Sequence, residues 1–406
     1  MSDRLLARVP PLGLAWRGQP RVVGAALAGF LLLGAAIVHV ASPAVVALFA
    51  VGGVLGMALY HASFGFTSAY RAFLTERRSS GLRAQLVMLG LAVVLFFPAL
   101  AGGQMFGHPV AASLAPLGPS VVVGAFLFGV GMQLGGGCAS GTLYTAGGGS
   151  LRMLVTLAFF IVGSVVGVAQ MGWWQTLPAF RPVSLGASLG WPAALALNLA
   201  VFALIYLAVA AAERRRHGTV EPISGRLGAR GILAGPWPII AGAVVLAVCN
   251  FATLALAGRA WGITSAFGLW GGKLLGSVGI DLGGWGGWGA PAMRHALAAP
   301  LLRDITSVMD FGIMLGALLA AGLAGKFAPA ARVPWRHLAG SVVGGFLLGY
   351  GARLAYGCNI GAYFSGIAPG SLHGWLWIAA AIAGSAAGIR LRPAFGMAPP
   401  SRRSGC

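Results

Sequence analysis

Charge is what this sequence has least of. Only 8% of its residues are charged, and Asp and Glu together number 7; an ordinary soluble domain carries roughly 25% charged residues. So few charges cannot clothe a water-solvated surface, which excludes a soluble globular enzyme or binding module. Cysteine is nearly as scarce. The 4 present include no C-x-x-C pair and supply neither a secreted disulfide framework nor a zinc site, and no metal or cofactor is expected. No cleaved leader is expected either, because Met1–Arg21 is polar and basic and the apolar run after it lacks a convincing cleavage site. The 27 Lys and Arg leave a formal net charge of +20. That excess lies in loops between apolar runs, as cytoplasmic charge does in membrane proteins, so no nucleic-acid partner is expected.

What is present is apolar. Hydrophobic residues make up 58% of the 406, and the mean hydropathy is +0.85. Runs able to cross about 30 Å of hydrocarbon occur near 22–40, 44–61, 82–100, 151–170, 191–212, 236–257, 304–325 and 372–391; two more, near 120–136 and 338–356, lead into glycine-rich motifs. The lipid bilayer is therefore the main solvent. The 66 glycines fit this reading, since small residues let membrane helices approach closely and let broken helices turn.

The chain is duplicated. Aligning Cys138 with Cys358 makes 11 of 21 positions identical between Val121–Gly141 and Ser341–Gly361, among them Gly137/Gly357 and Gly141/Gly361. A second element repeats upstream, Phe64–Tyr70 (FGFTSAY) against Trp261–Phe267 (WGITSAF). The runs after it are too short or glycine-rich to span and read as re-entrant or half-helical segments, a backbone tolerated at membrane depth only inside protein or along a wet cavity. Each repeat then claims five spans, the run at 191–212 opening the second. An odd number per repeat inserts the halves in opposite directions. The expected fold is an all-α polytopic membrane protein of two inverted repeats with short broken helices at their interface.

Loop charge orients it. The arm 1–21, the loop with Arg77, Arg78 and Arg83, the linker 213–235, the loop with Lys326, Arg332 and Arg336, and the tail 393–406 are all basic, whereas 101–120 and 359–371 contain no Lys or Arg. Both termini are thus expected in the cytoplasm. The domain reading is an arm 1–21, a first repeat with the opening span of the second at 22–212, the linker 213–235, the rest of the second repeat at 236–392, and the tail.

The chemistry is expected where the spans break. Gly137 and Gly357 permit a turn before Cys138 and Cys358, and the residues after each, Asn359 among them, can open a short helix. A helix start offers unpaired N–H groups and partial positive charge to an anion, and the same field favours a thiolate. Each cysteine can bond a sulfur-bearing anion or attack it; alternatively it is a small hydrophobe in a tight crossing. Arg353, aligned with Gln133, is the one cation inside a broken-helix motif and suits an oxyanion, unless it snorkels or pairs with a carbonyl. Thr67, Ser68, Thr264 and Ser265 can donate hydroxyl bonds along a pathway or simply join helices. Asp310 is a candidate intramembrane carboxylate, and Cys249 and Cys406 read as incidental.

The motifs GVGMQLGGGCASG (129–141), GARLAYGCNIGAYFSGI (351–367) with SLHGWLW (371–377), and FGFTSAYR (64–71) resemble the YeeE/YedE family of bacterial sulfur-transport membrane proteins. The resemblance implies an inner-membrane permease importing thiosulfate or a related sulfur anion, with Cys138 and Cys358 along its path. Relatives linked to selenium metabolism leave the substrate open. One departure stands out: where relatives often have a cysteine in the FGFTSAYR segment, this chain has Gly65. A membrane-embedded thiol sulfurtransferase that forms a persulfide on Cys138 or Cys358 is the alternative. It is the weaker one, since no His or acid accompanies either thiol in sequence. A cytoplasmic sulfur carrier or sulfurtransferase is a further candidate partner.

Overall fold

The computed structural model describes residues 18–225, 227, 231–329 and 332–397. Most of the arm 1–21, part of the linker and most of the tail, including Cys406, lie outside the described residues. Among them the chain runs α1 (Pro20–Val40), α2 (Pro43–His61), α3 (Phe66–Glu76) and α4 (Ser80–Gly102), then a two-stranded hairpin of β1 (Gln104–Met105) and β2 (His108–Pro109). There follow α5 (Pro119–Gly135), α6 (Ala139–Gly147), α7 (Leu151–Gln175), α8 (Leu185–Leu189) and α9 (Trp191–His217). After the linker come α10 (Gly231–Ala234), α11 (Ile239–Ala257), α12 (Thr264–Ser277), α13 (Pro291–Ala298), α14 (Ile305–Leu323) and α15 (Trp335–Leu354). A π-wound turn over Asn359–Phe364, α16 (Ser365–Ile367) and α17 (His373–Leu391) close the chain.

Ten of these stretches are long and apolar enough to cross a bilayer, at the ten places where the apolar runs lie. The protein is a multi-pass membrane protein. The helices α1 and α9 lie at the periphery and turn leucines outward, Leu31 at 75% and Leu204 at 68% exposure, as a lipid-facing surface does. The basic linker opens later than expected, because α9 runs on to His217 and includes Arg214–Arg216. Its last turns are held by Glu213, which accepts bonds from the Ser79 backbone and hydroxyl and lies 3.6 Å from Arg78 and Arg83. The stretch 258–303 holds two short helices, α12, where a half-helical segment was expected after Trp261–Phe267, and α13.

Packing follows the duplication. α1 lies on α14 as α9 lies on α4, α2 on α14 as α11 on α4, and α5 on α17 as α15 on α7; α5 meets α15, and α2 meets α11, across the centre. Aligned glycines make aligned contacts. A Cβ on Gly131 would stand 2.8 Å from the Gly344 carbonyl, and one on Gly351 2.5 Å from the carbonyl of Gly124, the residue that aligns with Gly344. Likewise a Cβ on Gly129 would meet the Ala381 carbonyl at 2.3 Å, and one on Gly349 the Phe160 carbonyl at 2.0 Å. Helices that touch backbone to backbone leave no room for a methyl group. Gly349→Ala is therefore expected to lower stability by about 1–3 kcal/mol through overpacking. Gly24→Ala, on the open face of α1 with nothing within 4 Å, is expected to be neutral or stabilising by up to about 1 kcal/mol. Thermal unfolding in detergent, followed by tryptophan fluorescence, checks the pair.

Candidate functional site at the two helix breaks

The break in the first half begins where α5 ends. Gly136, at φ +90°, turns the chain in the left-handed region that favours glycine, and its N–H bonds back to the Met132 carbonyl at 3.1 Å. The turn is thus made by Gly136, one residue before the Gly137 picked out from sequence. Cys138 then caps α6. Its Sγ accepts from the Gly141 N–H at 3.4 Å and lies 3.3 Å from the Ser140 hydroxyl, while Thr142 Oγ1 donates to its carbonyl at 2.8 Å. In the second half α15 ends at Leu354, and Tyr356 (φ +57°) and Gly357 (φ +148°) make the turn. A Cβ on Gly357 would stand 2.7 Å from the Ala362 nitrogen. Cys358 follows as the cap of the π-wound turn, with no cap bond from its side chain.

The sequence separates these thiols by the offset of the duplication; the fold brings their helices together. α6 and the π-wound turn touch each other, and both thiols are buried in one continuous core. Asn359, next to Cys358, donates to the Tyr70 hydroxyl at 2.9 Å. Tyr70 belongs to the FGFTSAY element, so this bond ties the two kinds of repeated motif. Sequence reasoning missed Tyr70. The signal was available in its repeat partner, Phe267, which lacks the hydroxyl.

The polar residue ahead of each break does the same job in both halves. Gln133 Nε2 donates to the Thr67 carbonyl at 3.3 Å, and Arg353 Nη2 to the Thr264 carbonyl at 3.1 Å and the Ser265 carbonyl at 2.9 Å. Arg353 thus pairs with carbonyls, yet its Nε has no partner among the described residues. Ser68 donates to the Gly65 carbonyl at 3.0 Å, and the Thr67 hydroxyl is buried without a partner. Ser265 donates to Thr306 Oγ1 at 3.1 Å, and Arg259 reaches the same oxygen at 3.1 Å. Arg259 is the second residue that sequence reasoning missed; its place two residues before the repeated Trp261–Phe267 element was the available signal.

Cation-lined cavities lie at two ends of the bundle, one of them beside the Cys358 turn. A cavity of about 550 Å³ is lined by Arg259, Thr264, Ser265, Arg353, Gly357 and Gly361, so backbone of the Cys358 turn forms part of its wall. At the other end a cavity of about 320 Å³ is lined by Tyr60, Tyr144, Arg152 and Arg332, the tyrosine at 144 coming from the Cys138 helix. A smaller one beside it, about 240 Å³, is lined by Tyr60, His61 and Lys326. None of the three has a carboxylate in its wall. Cavities with cations and no anions attract anions. Cys249 is buried on α11, outside both broken-helix motifs, and His373 is held by the Ser371 hydroxyl at 2.7 Å.

Ten spans with paired helix breaks, and cation-lined cavities at both ends of the bundle, define a multi-pass membrane protein built around broken helices. The chain belongs to the Sulphur transport family, whose model matches residues 61–387. It is 34% identical over 158 residues to the "Probable transporter YedE" of Escherichia coli, a match covering 38% of this chain and 37% of that relative's length. It is 28% identical to the "Thiosulfate transporter TsuA" of Spirochaeta thermophila over 80% of this chain and 92% of that protein, and 26% identical to the TsuA of Escherichia coli over 82% and 90%.

Proposed function

We propose that the protein is a permease of the bacterial inner membrane that imports thiosulfate or a related small sulfur-containing anion. One observation carries the reading: the short helices headed by Cys138 and Cys358 touch, and the cavities lined by Arg353 and Arg259 at one end and by Arg152 and Arg332 at the other have no carboxylate in their walls among the described residues. Likeness to thiosulfate transporters over about nine-tenths of their length supports the choice of anion. The pathway residues are Cys138, Cys358, Arg353, Asn359, Thr67, Ser68, Thr264 and Ser265, with Gly136 and Gly357 shaping the turns and Gly137 leading into Cys138. The anion enters at the cavity of Arg353 and Arg259 and leaves past Tyr144 and Arg152. A cytoplasmic sulfurtransferase or sulfur carrier is the recipient that this direction implies.

The test is uptake of labelled thiosulfate by liposomes that contain only this protein. Accumulation inside supports the permease. Turnover without accumulation would instead favour a sulfurtransferase, although no histidine or carboxylate hydrogen-bonds to either thiol among the described residues. Stronger competition by a selenium anion than by sulfite or sulfate would move the substrate to selenium chemistry.

Two inverted repeats, α1–α7 and α9–α17, follow from the same reading, with both termini and the 213–235 linker in the cytoplasm. Single cysteines placed in the linker of a cysteine-free variant are expected to react with an impermeant maleimide only from the cytoplasmic side. Labelling from the periplasm would overturn the inverted arrangement.

A further inference from the structure

Two acidic side chains are fully buried among the described residues, Glu213 and Asp310. Glu213 is well partnered by Ser79, the Glu221 N–H, Arg78 and Arg83. Asp310 has no hydrogen-bond partner on either oxygen and no ion pair. It is the sixth residue of α14, inside a membrane-spanning helix.

Its place on the helix gives it a direction. Ser307 and Met314, at i−3 and i+4, share its face. Ser307 accepts from Trp270 Nε1 of α12 at 2.8 Å, and a Cβ on Gly147 of α6 would meet the Met314 carbonyl at 2.3 Å. Asp310 therefore lies on the face that packs against the half-helices α12 and α6, the second of which Cys138 caps. One turn away, Thr306 takes the bonds of Ser265 and Arg259 in the wall region of the larger cavity. The carboxyl thus lies on the α14 face that meets the Cys138 helix, one turn from the hydroxyl shared by Ser265 and Arg259.

We propose that Asp310 binds and releases a proton during transport, so that anion entry is coupled to proton entry; this rests on the permease reading above. An ionised carboxylate without a partner is strongly disfavoured in a dry interior, so the conformation described accommodates the neutral acid. Losing the proton demands water or a cation, which a conformation open to the other end would supply. Co-entry of positive charge also offsets the inside-negative potential that opposes a dianion. Titratable and basic groups on the elements packed against α14 are Arg21 and His39 on α1, Tyr60 and His61 on α2, Tyr144 on α6, Lys273 on α12, and Arg303 just before α14. None bonds to Asp310 among the described residues, and Asp304, the N-cap of α14, accepts from the Ser307 N–H and hydroxyl instead.

The experiment compares thiosulfate accumulation in proteoliposomes with and without an acid-outside gradient of one pH unit, for wild type and Asp310→Asn. Wild type is expected to gain about tenfold per coupled proton, whereas Asp310→Asn gives a ratio near one. A wild-type ratio of one, or an undiminished ratio in the variant, overturns the proposal. If the wild type moves no thiosulfate at all, the permease reading fails instead, and the proton site is judged by infrared spectroscopy of the purified protein. A protonated-carboxyl band that titrates in wild type and is missing in Asp310→Asn supports it; identical spectra overturn it. Should Asp310→Asn fail to fold, the wild-type ratio and the infrared band of Asp-labelled protein decide.

Discussion

Replacing Cys138 and Cys358 together by alanine is expected to abolish thiosulfate uptake, and either single replacement to reduce it severely. Cys249→Ala, in an unbroken helix outside both motifs, is expected to leave most of it. The argument is one of partners at a bottleneck. Both thiols are buried, each caps the first turn of a short helix, and those short helices touch. An anion crossing this low-dielectric centre meets few polar groups, and a missing donor costs about 1–3 kcal/mol. That slows passage roughly 5- to 150-fold for each thiol, and the two act in series.

The thiols are not equivalent, which makes serine informative. Cys138 Sγ already accepts the Gly141 N–H, a capping role that serine fills well. Cys138→Ser is expected to fold at least as stably as wild type and, if the thiol acts as a hydrogen-bonding group, to retain partial uptake. Cys358 makes no such bond, so its serine variant tests the transport role with less structural compensation. If both serine variants are as inactive as alanine although folded, sulfur chemistry on the thiols becomes the better account. Normal uptake by the double alanine variant would reduce the motifs to packing devices.

How much of this was legible beforehand follows from what repeats. The offset between Cys138 and Cys358 announced that the two halves share contacts, and Gly131 and Gly351 do meet aligned carbonyls. Apolar length located all ten spans, because bilayer thickness is a constraint read directly in residues. Three features were not legible. The π winding after Cys358, against ordinary α winding after Cys138, depends on how Tyr356 and Gly357 turn the chain, and no local propensity encodes it. The left-handed turn at Gly136 rather than Gly137 was hidden in a run of three glycines. The isolation of Asp310 was hidden because a carboxylate's partners come from other helices, and sequence alone cannot show that none arrives.

The Arg353→Gln variant is expected to fold and to transport poorly, and the duplication itself says why it should fold. At the aligned position the first half already uses glutamine: Gln133 Nε2 donates to the Thr67 carbonyl just as Arg353 Nη2 donates to that of Thr264. Glutamine at 353 can keep this one bond and lose the second, to Ser265, a loss of about 0.5–1.5 kcal/mol that shifts the unfolding midpoint by only a few degrees. What glutamine cannot keep is the charge. Arg353 lines the larger cavity, so its charge remains available to an oxyanion while Nη2 holds the backbone. A hydrogen bond to a charged group contributes about 1.5–3 kcal/mol, which corresponds to roughly a 10- to 150-fold fall in kcat/KM for uptake. Arg353→Lys should fall between the two, since an ammonium restores the charge but not the fork that spans carbonyl and anion. Uptake kinetics and thermal unfolding on the same preparations separate the roles. A variant that melts early yet transports normally, molecule for molecule, would make Arg353 a clamp between α15 and α12 and remove it from the pathway.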